Sequence, residues 1–509
     1  MKSKSTTIGE KNPRKLYNYQ AKDLETIFNR LENDYETDRL LYQLPTGGGK
    51  TVVFSAIAKR FLKKFKRKVL ILTHRIELCR QTATTLDYFK VKNKVIDSSA
   101  KIINKNSSDC YVAMVETLNN RIEEGTMCTE GIGLVIIDEA HYNAFHKLLE
   151  KFPYAQIIGV TATPLSSDAA HPMNDTYKEL ITGESIANLI DQGYLARPKA
   201  VTYEVELNTL TKGSSGDFTI STSDELYSSP GMMELLMNAY MANSRNKKTL
   251  IFNNGIFTSK NVCRMFEEAG YPVKHLDNHN TIEERADILA WFKKTKGAIL
   301  TSVSILTTGF DEPSVQTIIL NRATTSLTLY HQMVGRGSRK LPNKKSFTII
   351  DLGNNGERFG SWESPVDWQF IFRNPTEYID SINAHLSQET HNFSPEHRAV
   401  FSNSTDVNFD VQAAHRKAVD DHQKPFNVII ESINQHALMC VDNAETTTEA
   451  ITLIKYLESE INWRIKQYTK CLGNVTKSYR EWLHEDYRER LQLAIRTMMQ
   501  KSVSLAQTA

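Results

Sequence analysis

Apolar residues follow two patterns that alternate along this chain from about residue 15 onward. Short continuous runs, typical of buried strands, occur at 40–42, 69–72, 111–115, 134–137 and 157–160. Between them lie longer segments in which apolar residues recur every three or four positions, as on one face of a helix. The same alternation restarts at Thr249 and continues to about residue 355, with Thr281 and Glu284 spaced as a capping box at one helix start. Alternating strands and helices predict an α/β fold with two parallel sheets.

The alternation also predicts where the chain divides. A stretch rich in Ser, Thr, Gly and Asp separates the two series and is typical of an irregular connection. Beyond residue 355 the strands stop and the pattern becomes helical, with apolar residues at helical spacing in 450–500. We expect a flexible N-terminus over 1–14, a first α/β domain over 15–200, a linker over 201–240, a second α/β domain over 241–358 and a mainly α-helical accessory region over 359–509.

The stretch LPTGGGKT at 44–51 lies between a predicted strand and a predicted helix, which is where a phosphate-binding loop belongs. Glycines let backbone N–H groups face a phosphate, the lysine supplies a positive charge, and the threonine hydroxyl can bind Mg²⁺. Leu44 stands where the usual motif begins with glycine. We expect ATP to be held by Pro45, Thr46, Gly47, Gly48, Gly49, Lys50 and Thr51.

Asp138 and Glu139 come directly after an apolar run and are therefore expected at the end of a buried strand. An ATPase needs one carboxylate for Mg²⁺ and another to orient or deprotonate the attacking water. We assign Asp138 to the metal, with Thr51, and Glu139 to the base, next to the same metal. His141 has no second His or Cys at ligand spacing, so we expect it to form a coupling hydrogen bond.

The second series has no phosphate loop, but its last helix ends in QMVGRGSR. Gln332 lies one turn before Arg336 and Arg339. Guanidinium groups suit the charge on a γ-phosphate in the transition state. We therefore expect this half to complete the site that Lys50 opens. Gln20, at the start of the first helix, has a carboxamide suited to the edge of adenine.

The overall composition excludes several classes of protein. With 509 residues, 40% of them hydrophobic and 24% charged, the chain is long enough for several cores and has no apolar run that could span a membrane. Its basic first 15 residues lack an apolar segment, so we expect a cytoplasmic protein. The six cysteines form no CxxC pair, so we expect no zinc. A net charge of +3 means that any affinity for nucleic acid must come from local groups of Lys and Arg.

Taken together, the motifs resemble those of the superfamily 2 DEAD/DEAH-type helicases over residues 14–355. The order LYNYQ, LPTGGGKT, THRIEL, VETL, DEAH, TATP, LTTGFDEP and QMVGRGSR follows that family's motif order. The strings around 303–353 look most like those of RadD-type bacterial DNA repair helicases. Two departures stand out: Tyr17 replaces the arginine usual before the Tyr-Gln pair, and the RadD-type cysteine-rich zinc region is missing.

The resemblance implies two tandem RecA-like P-loop domains with ATP between them and a nucleic-acid strand across both. It implies contacts of Gln20 with adenine and of Asp311 with the ribose. It also places Gln332, Arg336 and Arg339 on the γ-phosphate. For the strand, mostly at sugar and phosphate, it implies His74, Arg75, Thr117 and Thr308.

We therefore expect an ATP-dependent nucleic-acid helicase or translocase, acting on DNA rather than RNA. The alternatives are an RNA helicase, the motor subunit of a restriction or phage-defence complex, and an ATP-gated clamp that recruits a protein partner through the C-terminal region. In that region Arg464, Lys466, Lys470, Lys477 and Arg480 interleave with Tyr479 and Trp482. The pattern is compatible with a nucleic-acid face or with an apolar stripe that has a solvated basic side.

Overall fold

The computed structural model describes residues 15–33, 39–96, 108–142, 145–168, 170–207, 209–213, 216–307, 309–389, 395–405, 407, 409–421, 423–472 and 475–508. The chain divides into two compact units, Met1–His385 and Leu386–Ala509. The first unit contains both sheets, and the second is helical.

Seven parallel strands form the first sheet, in the order β3-β4-β2-β5-β6-β1-β7. The strands are β1 (Arg39–Gln43), β2 (Lys68–Thr73), β3 (Asn93–Ile96), β4 (Cys110–Met114), β5 (Ile132–Asp138), β6 (Gln156–Thr161) and β7 (Glu179–Thr182). The helices are α1 (Asn18–Asn33), α2 (Lys50–Phe65), α3 (Ile76–Tyr88), α4 (Val115–Glu123), α5 (His146–Leu149), α6 (Met173–Thr176) and α7 (Ile186–Asp191). All seven residues of β5 are buried, as its apolar sequence predicts for a central strand of a parallel sheet.

Six parallel strands form the second sheet, in the order β10-β11-β9-β12-β13-β8. The strands are β8 (Arg197–Thr202), β9 (Thr249–Asn253), β10 (Val273–Leu276), β11 (Ile299–Ser302), β12 (Thr317–Asn321) and β13 (Ser346–Asp351). The helices are α8 (Ile220–Tyr227), α9 (Pro230–Asn243), α10 (Ile256–Glu268), α11 (Ile282–Lys294), α12 (Leu327–Gly335), α13 (Asn355–Phe359), α14 (Trp368–Arg373) and α15 (Pro375–Glu389). The capping box of Thr281 and Glu284 is present at the start of α11. The predicted pair of parallel sheets is therefore confirmed.

The region predicted as a linker, 201–240, differs from that expectation. β8 lies across its expected start and pairs with β13 in the second sheet, from Arg197↔Ser346 to Thr202↔Asp351. Helices α8 and α9 occupy much of the rest. The sequence did not predict β8 because its residues, RPKAVT, contain no apolar run. An edge strand of this kind is exposed and needs no such run.

After the second sheet, the chain returns to the first one. Phe372 of α14 is buried in the same apolar cluster as Leu41 and Leu180 of the first sheet. The Gln369 amide donates to the carbonyl oxygen of Leu180, 2.9 Å away. The segment that contains α14 therefore ties the second domain to the outer strand of the first.

The unit from Leu386 to Ala509 has its own apolar core and contains α16 (Pro395–Val400), α17 (Val411–Asp420), α18 (Asn427–Asp442), α19 (Thr447–Thr452), a 3₁₀ turn (Leu453–Leu457), α20 (Glu458–Leu472) and α21 (Lys477–Thr508). This confirms the predicted helical character of the C-terminal region, but the unit begins at Leu386, and residues 359–385 belong to the first unit. Arg464 does not lie on a basic face: it is fully buried, and its Nε donates to Glu460 Oε1 at 2.5 Å. No helix in the described part of the chain is long and apolar enough to cross a membrane.

Candidate nucleotide-binding site

The phosphate loop follows β1 and ends at the N-terminus of α2. Gly47 and Gly49 have φ angles of +96° and +88°, in the left-handed region that favours glycine. A Cβ on Gly47 would also lie 2.8 Å from Leu195 Cδ2, and one on Gly49 would lie 2.6 Å from Gln20 Nε2. Gly49 caps α2, so Lys50 and Thr51 stand in its first turn, where helix N–H groups and the helix dipole favour an anion.

The acidic pair lies at the end of β5. Glu139 adopts a left-handed backbone with φ of 53°, and its N–H donates to Asp138 Oδ1 at 3.0 Å. Glu139 Oε1 lies 3.9 Å from Lys50 Nζ, and Glu139 Oε2 lies 3.5 Å from His141 Nδ1. The predicted base is therefore beside the predicted phosphate-binding lysine.

The charge states of these groups differ. Burial, reinforced by the charge of Glu139, raises the pKa of Asp138 to about 7. Burial also acts to raise the pKa of Glu139, but the positive charges of Lys50 and Arg336 and the nearby His141 ring outweigh it and the pKa is lowered. Glu139 is thus the ionised member of the pair at neutral pH, as a general base must be.

The donor set fits a magnesium ion. Two carboxylates and the Thr51 hydroxyl are hard oxygen ligands of the kind that Mg²⁺ takes. Glu139 Oε2 is buried and has no hydrogen-bond partner among the described residues, which leaves an acceptor open. Thr51, Asp138 and Glu139 line one cavity together with Gly47, Gly49 and Lys50. A bound divalent cation would have these oxygens as its protein ligands.

The second domain supplies two arginines to the same cavity. Arg336 Nη1 donates to the carbonyl oxygen of Phe310 at 2.6 Å, and its Nη2 donates to that of Thr307. Arg339 Nε donates to Asp311 Oδ1 at 2.9 Å. Burial, with the nearby charge of Arg339, lowers the pKa of Arg336 to about 10, so Arg336 remains charged at pH 7. The cavity therefore has cations on both sides.

Gln332 lies beside His141 in this structure, and its predicted contact with the γ-phosphate stays a prediction. Its Nε2 lies 3.1 Å from Nε2 of His141, and it does not line the cavity of the two arginines. Burial lowers the pKa of His141 to about 4, so the ring is neutral and its Nε2 can accept from the Gln332 amide. Its Nδ1 is then the donor, 3.0 Å from Thr161 Oγ1. His141 forms the coupling bond expected of it, and Gln332 is its partner across the two domains.

Gln20 is buried against the phosphate loop. Its Nε2 donates to the carbonyl oxygen of Gly48 at 3.1 Å, and its Oε1 accepts from the N–H of Tyr17 at 3.0 Å. The Tyr19 hydroxyl donates to the same Gly48 oxygen at 2.7 Å. These bonds fix the loop, and the contact of Gln20 with adenine stays a prediction.

Two of the four residues predicted at the nucleic-acid strand line a cavity of about 600 Å³ between the two domains: His74 and Arg75. Arg75 Nη1 donates to the carbonyl oxygen of Ile305 in the second domain at 2.8 Å. Burial lowers the pKa of His74 to about 4, so its ring brings no positive charge to a phosphate. Thr117 lies in α4, away from the lining of this cavity, and Thr308 lies outside the described residues.

The sequence reasoning missed several residues of the interdomain cleft. Leu78 and Gln81, three positions apart on α3, line the cavity of the phosphate loop. That spacing, just after THR at the end of β2, was a signal that could have found them. Glu77 and Arg285 form an ion pair of 3.1 Å between the domains, which no local pattern indicates.

Comparisons with known proteins match both halves of the first unit. Residues 14–166 match the family "Type III restriction enzyme, res subunit", and residues 231–340 match "Helicase conserved C-terminal domain". The Saccharomyces cerevisiae protein "Putative ATP-dependent helicase IRC3" is 28% identical over 357 residues, which are 66% of this chain and 51% of the yeast protein. The chain thus spans about half the length of that relative.

Two solved structures share the fold. One is a fragment of an HsdR subunit of a type I restriction enzyme from Vibrio vulnificus YJ016, with a TM-score of 0.55, 24% identity and coverage of 67% of this chain and 65% of that one. The other is the ATP-dependent type ISP restriction-modification enzyme LlaBIII bound to DNA, with a TM-score of 0.51, 16% identity and coverage of 95% of this chain and 41% of that one. The tandem RecA-like fold is therefore confirmed.

Proposed function

Because the chain belongs to superfamily 2 of the helicases, we propose that it is an ATP-dependent motor that moves along a DNA strand. The observation that carries this proposal is the convergence of three groups on one cavity. The phosphate loop and the acidic pair come from the first sheet, and Arg336 and Arg339 come from the second domain. Such a site is complete only while the two domains are closed.

Each residue of the site has a role in this proposal. The phosphate loop holds the triphosphate, with Lys50 on the β- and γ-phosphates. Asp138 and Thr51 hold Mg²⁺, which would neutralise phosphate charge. Glu139 accepts the proton of the attacking water, and the two arginines stabilise the charge of the transition state. Asp311 would contact the ribose once Arg339 releases it.

The size of the cavity indicates that the site must open to admit a nucleotide. It holds about 70 Å³, whereas pockets for small ligands are roughly 300–1,000 Å³. Nucleotide entry must therefore move side chains or domains apart. The bonds from Gln332 to His141 and from Arg75 to Ile305 cross the same cleft. Movement of the domains would therefore also change the position of Arg75, which we expect at the nucleic-acid strand. Repeated opening and closing would move the protein along the strand.

The preference for DNA rests on the restriction-type comparisons. The first domain matches a restriction enzyme family, and the type ISP enzyme with the same fold is bound to DNA in its structure. Contacts to sugar and phosphate would make binding independent of sequence and sensitive to salt. The RadD-type likeness, the repair or phage-defence setting, the cytoplasmic location and a protein partner of the C-terminal region stay predictions.

The test is the rate of ATP hydrolysis with no nucleic acid, with single-stranded DNA, with duplex DNA and with RNA. We expect DNA to raise the rate several-fold and RNA to raise it less. Lys50→Ala should abolish turnover because it removes the charge on the β- and γ-phosphates. Stimulation by RNA alone would favour an RNA helicase, and a rate unaffected by any nucleic acid would exclude a motor.

A clamp and a motor are separated by a second measurement. Displacement of a bound roadblock protein, or of an annealed strand, requires movement along DNA. A clamp would hydrolyse ATP and release DNA without displacing either. We expect displacement to depend on ATP and to be lost in Lys50→Ala, and its absence from an active ATPase would favour the clamp.

A further inference from the structure

Lys344 is a buried lysine that follows the two arginines and has had no role so far. It ends a tight turn over residues 341–344, two residues before β13 begins, and its backbone N–H donates to the carbonyl oxygen of Leu341 at 3.0 Å. Its side chain is 6% exposed, and Nζ lies 5.9 Å above the ring of Phe347. The next residue, Lys345, is exposed. A lysine is seldom buried unless its ammonium group is paired.

The partners of Lys344 are two backbone carbonyl groups. Nζ donates to the carbonyl oxygen of Gly337 at 2.6 Å and to that of Pro313 at 3.0 Å. Gly337 lies between Arg336 and Arg339, in residues 335–340, which we call the arginine segment. Pro313 lies in residues 309–315, the Asp311 loop. One amino group thus donates to both stretches and links them.

The other ties between these stretches use the arginines themselves. Arg336 donates to the carbonyl oxygen of Phe310 in the loop and to that of Thr307 before it, and Arg339 donates to Asp311. A guanidinium that turns to a γ-phosphate must exchange such acceptors for phosphate oxygens. Lys344 is not among the residues that line the cavity, so its two bonds need not be exchanged for phosphate oxygens.

We propose that Lys344 is a positioning residue, which keeps the arginine segment and the Asp311 loop in register while Arg336 and Arg339 bind the γ-phosphate. This rests on the proposed function, since it assumes that the arginines act in ATP hydrolysis. Lys344 does not line the cavity that we assign to the nucleotide and the metal. Its loss should therefore lower kcat and leave the affinity for ATP nearly unchanged, because the phosphate loop belongs to the other domain.

The experiment compares Lys344→Met with Lys345→Met in the full chain. Methionine keeps most of the apolar stem over Phe347 but cannot bond the two carbonyl groups. We expect Lys344→Met to lower the DNA-stimulated kcat about tenfold or more, with KM for ATP within threefold of the wild type. Lys345→Met should behave as the wild type, and Lys344→Arg, which keeps a charged donor, should recover part of kcat.

A double variant distinguishes positioning from a general loss of stability. If Lys344 acts through the arginines, adding Lys344→Met to Arg336→Ala should cost far less than tenfold, because the two changes share one effect. A full tenfold further loss would overturn the proposal, as would a wild-type kcat in Lys344→Met. Should the methionine variant fail to fold, Lys344→Leu, which is also apolar and cannot bond the two carbonyl groups, is judged by the same criteria. A wild-type protein without ATPase activity would overturn the proposed function first, whereas an active wild type with an active Lys344→Met overturns only the role of Lys344.

Discussion

Glu139 combines a strained backbone with a charge that its surroundings maintain. Its left-handed φ of 53° is uncommon for a residue with a long side chain, and it aims the carboxylate between Lys50 and His141. Strain of this kind is found where function fixes a conformation. The cations around Glu139 keep its carboxylate ionised despite burial, while Asp138 beside it has a raised pKa. Neighbouring acids with separated pKa values can take different roles.

Glu139→Gln tests this division of roles. The amide keeps the shape of the side chain but cannot accept a proton, so we expect kcat to fall by about 10²-fold or more. ATP should bind no more weakly, since Lys50 and the loop are intact. Nucleotide binding and single-turnover hydrolysis measure the two effects, and Glu116→Gln, on an exposed part of α4, is the control. Normal turnover in Glu139→Gln would remove the assignment of the base.

Lys344 should make stability depend on pH. Burial, with the charge of Arg339 opposed by that of Glu312, lowers its pKa from 10.5 to about 7. Between pH 7 and 10.5 the unfolded chain therefore binds a proton that the folded chain does not, and folding becomes more favourable as pH rises. As pH rises through this window, the free energy of unfolding of the wild type should increase relative to that of Lys344→Met. Below pH 7 the difference between the two proteins should not change with pH. Urea unfolding of both proteins from pH 6.5 to 9.5 measures the difference, and a constant difference would contradict the shift.

At the scale of elements, the sequence was informative where one segment carried the whole signal. Two local patterns were of this kind: the strand, glycine turn and helix around Lys50, and the strand that ends at Asp138. The structure contains both patterns. β8 was missed because an exposed edge strand has no apolar pattern to detect. The partner of Gln332 was missed for another reason: His141 lies 191 positions away in the chain, and only domain closure brings them together.

Helix α14 carries a prediction of its own, because its two phenylalanines differ in burial. Phe372 is 5% exposed and packs in the core of the first sheet, whereas Phe370 is 38% exposed. Phe372→Ala should destabilise the first unit by about 3–5 kcal/mol, the usual cost of a buried phenylalanine. Phe370→Ala should cost under about 1 kcal/mol. Equal shifts of the urea midpoint for the two variants would show that α14 does not hold to the first sheet.

The whole molecule consists of two units with separate apolar cores. Among the contacts between the domains in the described part of the first unit are those of Arg75 with Ile305, Glu77 with Arg285, and His141 with Gln332. All three lie in the cleft of the proposed site, so its geometry depends on the closure of the unit. The helical unit contains none of the residues predicted to bind nucleotide.

This division predicts the response of unfolding to nucleotide. A ligand stabilises only the structure that binds it, by about 2.7 kcal/mol at a hundredfold excess over Kd. A non-hydrolysable ATP analogue with Mg²⁺ should therefore raise the melting temperature of one calorimetric transition and leave a second transition in place. Lys50→Ala should remove the shift. A single transition that moves as a whole would show that the two units unfold together.

The edge position of β8 has a consequence for how the second domain can be studied alone. Strand β13, with five of its six residues buried, is covered on one side by β8, whose Arg197, Pro198 and Lys199 make a poor template for further pairing. A fragment that begins after Thr202 would lose this cover and present the unpaired backbone N–H and C=O groups of β13 to other chains. Aggregation is the expected result, whereas a fragment that begins at Arg197 keeps its own protected edge and should remain soluble.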